Sequence, residues 1–374
     1  MMSNEMGARP AVVRGLPYVI ASIASMIGDV IPVDDWAARV RIPDRKQAGR
    51  VLTGDDVTRI TGIEAKSWDP ERFASFAPIV EVVRDALARA RTTAAQIDLV
   101  IIMTATPLFP QLGADGFELM RQLGFRDDVP PIQLQAGCAG MARAMQLVSA
   151  SGAERPLIIA YEVSSRYMES RVYFENATHP RRDALWISAA LFSDGAAALV
   201  LQRDADRAGL ATYSRDAHAF GSESGFHDPL VEYTGGGAHQ PPGTPDAEPL
   251  AVFAMNGEAT QRYYAGGMML NHRALEEARP GYLRAVKRVY MHQASPRLVA
   301  HVRELLVREA GAQLEQLPTH AHKIGNLVVP ATLKLLSDDV ASGAVGPGDH
   351  LCFSVVGAGP ERGGFLISMA EARA

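Results

Sequence analysis

Ile132-Gln133-Leu134-Gln135-Ala136-Gly137-Cys138-Ala139-Gly140-Met141-Ala142-Arg143-Ala144-Met145 is the stretch on which the reading of this chain turns. An alternating apolar–polar run ends in two tiny residues, a cysteine follows, and an alanine-rich segment of helical composition comes next. The pattern predicts a strand over 132–136, a tight turn and a helix, with Cys138 in the helix's first turn. Backbone N–H groups at a helix start point towards such a sulfur, and the helix dipole favours its thiolate. Ala136, Gly137, Ala139 and Gly140 leave room for a substrate. A cysteine here is equally a small hydrophobe fit for burial, so the stretch alone leaves both readings open.

Upstream, residues 79–91 place Ile79, Val82, Val83, Ala86, Leu87 and Ala90 on one helical face. Residues 97–103 read as a strand buried on both sides. A loop with Thr104, Pro107, Phe109 and Pro110 leads to an amphipathic segment over 114–123. Leu157–Tyr161 is a further buried strand. Downstream the order recurs. A helical stretch over 275–288, interrupted at Pro280-Gly281, precedes the short strand Val289–Met291. His292 follows, and Pro296 opens a helix carrying Leu298, Val302, Leu305 and Leu306. Gly325-Asn326 stands before another helix, with Pro330 near its start.

Met103 stands 35 residues before Cys138, as Met291 does before Asn326. Both series close on apolar, glycine-rich strands, Ser193–Val200 and Leu351–Gly357. Equal spacing together with equal order indicates an internal duplication, with an N-terminal half at 1–205 and a C-terminal half at 206–374. Cys138 lies 54 residues before Phe192, but Asn326 only 27 before Phe353. The first half therefore carries an insertion, placed at about 164–185 and holding Arg166, Tyr167, Arg171, Tyr173, Phe174, His179, Arg181 and Arg182. Its length suits an interface or an active-site cover. Val231–Pro249, rich in Gly and Pro, reads as a surface loop between the halves.

Composition narrows the function classes. The 374 residues are 47% hydrophobic and 21% charged, with a formal charge of −5. That is a globular balance without the basic footprint of nucleic-acid binding. Two cysteines make no disulfide framework and point to a reducing, cytoplasmic setting. No apolar run is long enough to span a membrane, and the apolar beginning, broken by Arg14, Pro17 and Asp29, reads as a strand and loop.

If the halves pack face to face, Cys138, His292 and Asn326 lie on turns at equivalent ends. That set suits acyl transfer through a thioester, the thiolate as nucleophile and the imidazole keeping it reactive. His292 and Asn326 can together bind an enolate oxygen. By type alone a histidine is more often structural, and Asn326 after Gly325 is an ordinary turn residue. Cys352, mid-strand among apolar residues, reads as core, and Asp194-Gly195 as a turn. A papain-like protease also uses Cys, His and Asn, but there the cysteine lies near the mature N-terminus and an aromatic follows it, unlike Ala139-Gly140.

In Ala136–Met141, Phe192–Val200, Met255-Asn256-Gly257, His292-Gln293-Ala294 with Arg297, and Gly325-Asn326, the chain resembles the thiolase superfamily, most closely its β-ketoacyl-acyl-carrier-protein synthase III branch. The resemblance implies an α/β, five-layered αβαβα fold of two similar halves, a homodimer, and no cofactor or metal. It implies Cys138 as the acylated nucleophile, with His292 and Asn326 promoting loss of carbon dioxide from a malonyl-type extender and holding the enolate. Phe109 matches the residue projected into the partner's acyl pocket, and Arg297 a basic residue that docks the acyl carrier protein. Met141, Gly357 and Gly359 are the expected substrate-binding neighbours, the two glycines in a loop that offers a backbone N–H to the thioester oxygen.

Departures from the family pattern bear on the substrate. A tryptophan common before the Thr61-Gly62-Ile63 motif is Asp56, and a basic residue after it is Glu64. An asparagine after His-Gln-Ala is Ser295, and small residues after Gly-Asn are Leu327-Val328-Val329. The closing loop, Gly357–Gly364, is longer and more polar. With the aromatic and cationic contacts for CoA gone, a larger acyl group delivered on a carrier protein is expected, in polyketide or other secondary metabolism. Carbon–carbon condensation is the leading expectation. Acyl transfer to oxygen or nitrogen, or thioester hydrolysis, is the alternative.

Overall fold

Leu99-Val100-Ile101-Ile102-Met103 has no polar face, so a strand built from it needs cover on both sides. The structure, a computed structural model, describes residues 11–44, 46–169, 173, 184–215, 231–233, 252–357 and 359–372. In it, Ile101 and Met103 enter one core cluster while Val100 and Ile102 enter another. The period-two alternation of a strand sends one hydrophobic sequence into two separate cores.

The large sheet has ten strands: β1 (Val12–Leu16), β2 (Tyr18–Ile27), β3 (Leu99–Thr104), β4 (Pro131–Gln135), β5 (Pro156–Glu162), β6 (Gly195–Arg203), β7 (Gly209–Arg215), β8 (Arg288–Met291), β9 (His350–Gly357) and β10 (Glu361–Met369). One run is β4-β3-β5-β6-β2, parallel across β4, β3 and β5 and antiparallel beyond. The other is β8-β9-β10-β7-β1, parallel only at β8–β9. The two runs join through the short parallel pairing of β10 with β2, Ser368 opposite Val19 and Met369 opposite Ile20.

Helices complete the layers. Ala77–Arg89 packs on β2 and β6 on one outside, and Gly257–Ala278 packs on β9 and β10 on the other. Between the two strand runs lie Gly140–Ser151, against β1, β7, β9 and β10, and Ala331–Ala341, against β2, β6 and β8. The order is helix, sheet, helices, sheet, helix: the five-layered αβαβα fold. Burial of both faces of both runs gives a central cluster and two outer clusters. Cys352 belongs to the outer cluster under Gly257–Ala278, as its sequence setting indicates.

Some expectations shift. The helix placed at 275–288 begins at Gly257, capped by the Asn256 side chain, and ends at Ala278; a short turn, Tyr282–Ala285, follows Pro280-Gly281. Of the segment 164–185, the described part includes the short helix Ser164–Met168 and buried Tyr173. Arg171, Phe174, His179, Arg181 and Arg182 lie outside the described residues, as do residues 234–249 of the loop between the halves.

Candidate active site

The turn after β4 is built by small residues. Ala136 N–H donates to the Thr104 carbonyl at 3.2 Å, fastening the end of β4 to β3, and Gly140 N–H closes the turn on the Gly137 carbonyl at 2.8 Å. Ala139 is the N-cap of Gly140–Ser151. Cys138 therefore stands one residue before the cap and not in the first turn. The end of β9 folds over this turn. A Cβ on Gly357 would lie 2.7 Å from Ala139 N, an approach only glycine permits.

His292 follows β8 directly. Its N–H donates to the Ser354 carbonyl at 3.0 Å, and its own carbonyl accepts from the Tyr264 hydroxyl. Its Nδ1 has no partner among the described residues. Burial drives the imidazole down to about 3, so the ring is neutral at physiological pH. Asn326 is fixed from the other half of the chain. Gly325, at φ 75°, leads into it, and a Cβ there would fall 2.1 Å from the Ser193 Oγ. Asn326 N–H donates to the Leu191 carbonyl at 2.8 Å, and its carbonyl accepts from Ser193 N–H at 2.9 Å. The side-chain amide is held at both ends, Oδ1 accepting from Val328 N–H at 2.8 Å and Nδ2 donating to the Ala294 carbonyl at 3.2 Å.

All three side chains line one cavity of about 230 Å³, whose wall also holds Arg297, Tyr264 and Gly357. Cys138 also lines a second, larger cavity of about 660 Å³ on its other side, with Gly359, Phe192 and Arg143. The sulfur thus stands where two cavities meet. Burial pushes its thiol up to about 12, and the Glu162 and Glu361 carboxylates add to the rise. These surroundings oppose the expected thiolate. The helix-terminus effect fades beyond the first turn, and Cys138 lies outside it among acidic neighbours.

The other candidates are placed as follows. Phe109 is half exposed, packs on Phe76 in a tilted arrangement with ring centroids 5.9 Å apart, and lines neither cavity at Cys138. Met141 is buried in the central core and lines neither cavity. Arg297 is exposed at the smaller cavity, its guanidinium donating to the Arg59 carbonyl. Asp56 serves its own helix. It closes a capping box with Thr53 and receives Arg50 at 2.5 Å and Arg59 at 2.7 Å, which with the N-cap bond hold its carboxyl at about 2. Among the described residues no cluster of His, Cys, Asp or Glu has the arrangement of a metal site, and no helix is long and apolar enough to cross a membrane.

Two supports were not read from the sequence. Lys66 is fully buried with its Nζ 4.6 Å from the Trp36 ring and 4.1 Å from the Trp68 ring, and it donates to the carbonyls of Ala189 and Ala190. It thereby caps the helix Leu185–Leu191 that holds Asn326. Asp194 is also buried and accepts from Asp69 N–H at 2.7 Å and Ser165 N–H at 2.8 Å, tying three segments together beneath the site. The aromatic spacing of Trp36 and Trp68 around Lys66 is the only signal the sequence offers for the first.

Comparison with known proteins agrees with this architecture. The C-terminal family of 3-oxoacyl-[acyl-carrier-protein] synthase III matches residues 281–369. The β-ketoacyl-[acyl-carrier-protein] synthase III of Rickettsia felis is 28% identical over 75% of this chain and 80% of its own. The crystal structure of 3-oxoacyl-(acyl carrier protein) synthase III from Pseudomonas aeruginosa superposes with a TM-score of 0.72 at 20% identity, covering 96% of this chain and all of that one. The 3-oxoacyl-(acyl-carrier protein) synthase from Burkholderia xenovorans gives 0.75 at 17% identity, covering 97% and 96%. The chain is thus similar to the β-ketoacyl-acyl-carrier-protein synthases III, in sequence over about three quarters of its length and in fold over nearly all of it.

Proposed function

We propose that the chain acylates Cys138 and condenses that acyl group with a carrier-bound malonyl-type or β-ketoacyl acceptor, in polyketide or other secondary metabolism. The observation that carries the reading is one sulfur shared by two cavities, with His292 and Asn326 on the smaller of them. The larger cavity then holds the acyl chain, and the smaller admits the pantetheine arm of donor and acceptor in turn.

In the first step the Cys138 sulfur attacks the donor carbonyl, and the carrier's sulfur leaves. The proton shed by Cys138 passes through the neutral His292 imidazole to the departing sulfur. In the second, a malonyl-type acceptor loses carbon dioxide and its thioester carbonyl becomes an enolate. The ring N–H of His292 and the Asn326 amide hold the enolate oxygen. The enolate carbon attacks the acyl carbonyl, and the Cys138 sulfur leaves as a thiolate that takes its proton from solvent. Both donors are neutral and fixed, which suits an anion that exists only during the reaction. Arg297, exposed at the smaller cavity, meets the acidic surface of the carrier.

The same reading makes the working unit a homodimer. β4 ends the sheet with one edge unpaired among the described strands, and Phe109, Leu112 and Phe117 stand exposed beside it. A second copy would cover them and bring its Phe109 to the larger cavity. Intact-mass spectrometry with acyl-carrier donors tests the proposal: a stable acyl adduct, cleared on adding a malonyl-carrier with appearance of a β-ketoacyl product, supports it. Rapid hydrolysis of the adduct without an acceptor makes the chain a thioesterase. Sedimentation as a monomer at micromolar concentration removes the dimer.

A further inference from the structure

Gln293 stands between the residues that the proposed condensation uses. It follows His292, is fully buried, and its side chain reaches in two directions. Nε2 donates back to the Met291 carbonyl at 2.9 Å, at the end of β8. Oε1 accepts from the Thr319 hydroxyl at 2.8 Å and from the His320 N–H at 3.2 Å. Those two residues lead into the helical turn Ala321–Ile324. The His320 carbonyl accepts from Lys323 N–H at 2.8 Å and Ile324 N–H at 3.2 Å, and the Ala321 carbonyl accepts from Gly325 N–H at 3.0 Å. A continuous path of bonds therefore runs from the strand end that carries His292, through one amide, to the turn that presents Asn326. The two ends are otherwise held by different neighbours. His292 is fastened through its N–H to β9, whereas the Asn326 main chain is fastened to Leu191 and Ser193 of the first half. His320 brings no further polar tie, since neither nitrogen of its buried ring has a partner among the described residues. Asn326 itself spends one amide hydrogen on the Ala294 carbonyl and has the other for an enolate. A buried amide is costly unless it is bonded, and these three bonds of Gln293 all lie on the path between the two donors.

We infer that Gln293 is a positioning residue: it sets the spacing between the His292 ring and the Asn326 amide, and so the fit of both donors to one enolate oxygen. The inference rests on the condensation reading above and adds the residue that aligns its two donors. Gln293 lines neither cavity at Cys138, so it acts through its neighbours and touches no substrate.

The test uses the full chain, a hexanoyl pantetheine thioester as donor and a malonyl pantetheine thioester as acceptor, each step read by intact mass. Gln293→Leu should lower the maximal rate at which the malonyl thioester clears the hexanoyl adduct by about tenfold to a hundredfold, as misplacement of a group at the reacting centre does. The half-saturating malonyl concentration and the rate of Cys138 acylation should stay nearly unchanged, because the donors are needed only once the enolate forms. Thr319→Val removes one bond into Oε1 and leaves the other two. It should act in the same direction by about threefold, the size of one net hydrogen bond, and it carries the test if Gln293→Leu does not fold. Gln293→Leu combined with Asn326→Ala should condense little more slowly than Asn326→Ala alone, since no second donor is left to align. Equal slowing of acylation and condensation overturns the inference and leaves the acyl-enzyme reading standing. So does a raised half-saturation at unchanged maximal rate, or full additivity in the double variant. A hexanoyl adduct that never forms on the unaltered protein, or that the malonyl thioester never clears, overturns the condensation reading and this inference with it.

Discussion

In the first run of the sheet β3, β5, β6 and β2 pair as parallel, antiparallel, antiparallel; β8, β9, β10 and β7 repeat that succession in the second run. The difference lies at the edge. The first run adds β4, so Cys138 hangs from its own sheet through the bond of Ala136 to Thr104. No strand among the described residues adds to β8 in the same way. Asn326 is bonded instead across to Leu191 and Ser193 of the first half. One ladder built twice thus brings Cys138 from one copy to the same cavity as His292 and Asn326 from the other. The bonds that fix the second copy's contribution cross between them.

The sharpest way to break this division of labour is at the sulfur. Cys138→Ala should abolish the acyl adduct seen by mass spectrometry. Cys352→Ala, in the outer core of the second half, should keep it and cost only about 1–2 kcal/mol of stability. An adduct on Cys352 would invert the comparison. Because the Cys138 thiol is pushed up to about 12, its alkylation rate should climb with pH throughout the neutral and alkaline range, without a plateau near neutrality.

Next come the second copy's residues. His292→Ala and Asn326→Ala should each lower condensation by about 10²–10³-fold, the usual cost of losing an oxyanion donor. Acylation of Cys138 should stay within about tenfold. Equal loss of both steps would mean that these residues hold the site's shape and not the enolate. Smaller still is Arg297→Glu. It should slow acylation by carrier-bound donors about tenfold or more, as loss of a charge-assisted contact does, and leave a short pantetheine thioester nearly unaffected. A free acyl-CoA as good as the carrier-bound donor would remove the reason for reading Asp56 and Glu64 as lost CoA contacts.

What the sequence made legible was mainly local periodicity. The doubly apolar β3, the small residues around Cys138 and the matched spacing to Asn326 all follow from the side chains of the segment concerned. What stayed hidden depends on distant partners. The role of Gly267 is one such case: a Cβ there would meet Val356 at 3.0 Å, so the glycine lets Gly257–Ala278 settle on β9. Lys66 reads as a surface charge until Trp36, Trp68 and the end of Leu185–Leu191 enclose it. The surroundings that oppose a thiolate at Cys138 were hidden for the same reason, since burial and the Glu162 and Glu361 carboxylates come from other elements.

The subtlest test of the comparison lies at one rung. β5 ends with Glu162 opposite Gly195, whereas β9 ends with Gly357 opposite Glu361, so the two copies put their carboxylate on opposite strands. Glu361 meets Arg143, but Glu162 meets only neutral donors, and burial outweighs them to raise its carboxyl from 4.5 to about 8. A folded-state value above the unfolded one means that the folded protein binds this proton more tightly. The stabilisation is complete below the ordinary carboxyl value and is lost as pH rises through about 8. Glu162→Gln keeps an acceptor for Ala105 and carries no proton to lose. Its Tm relative to the unaltered protein should therefore climb between about pH 5 and pH 9, by roughly 1–3 °C. A flat difference for Glu162→Gln would mean that its carboxyl is ionised in the fold, and that the larger cavity carries a negative charge the acyl group must tolerate.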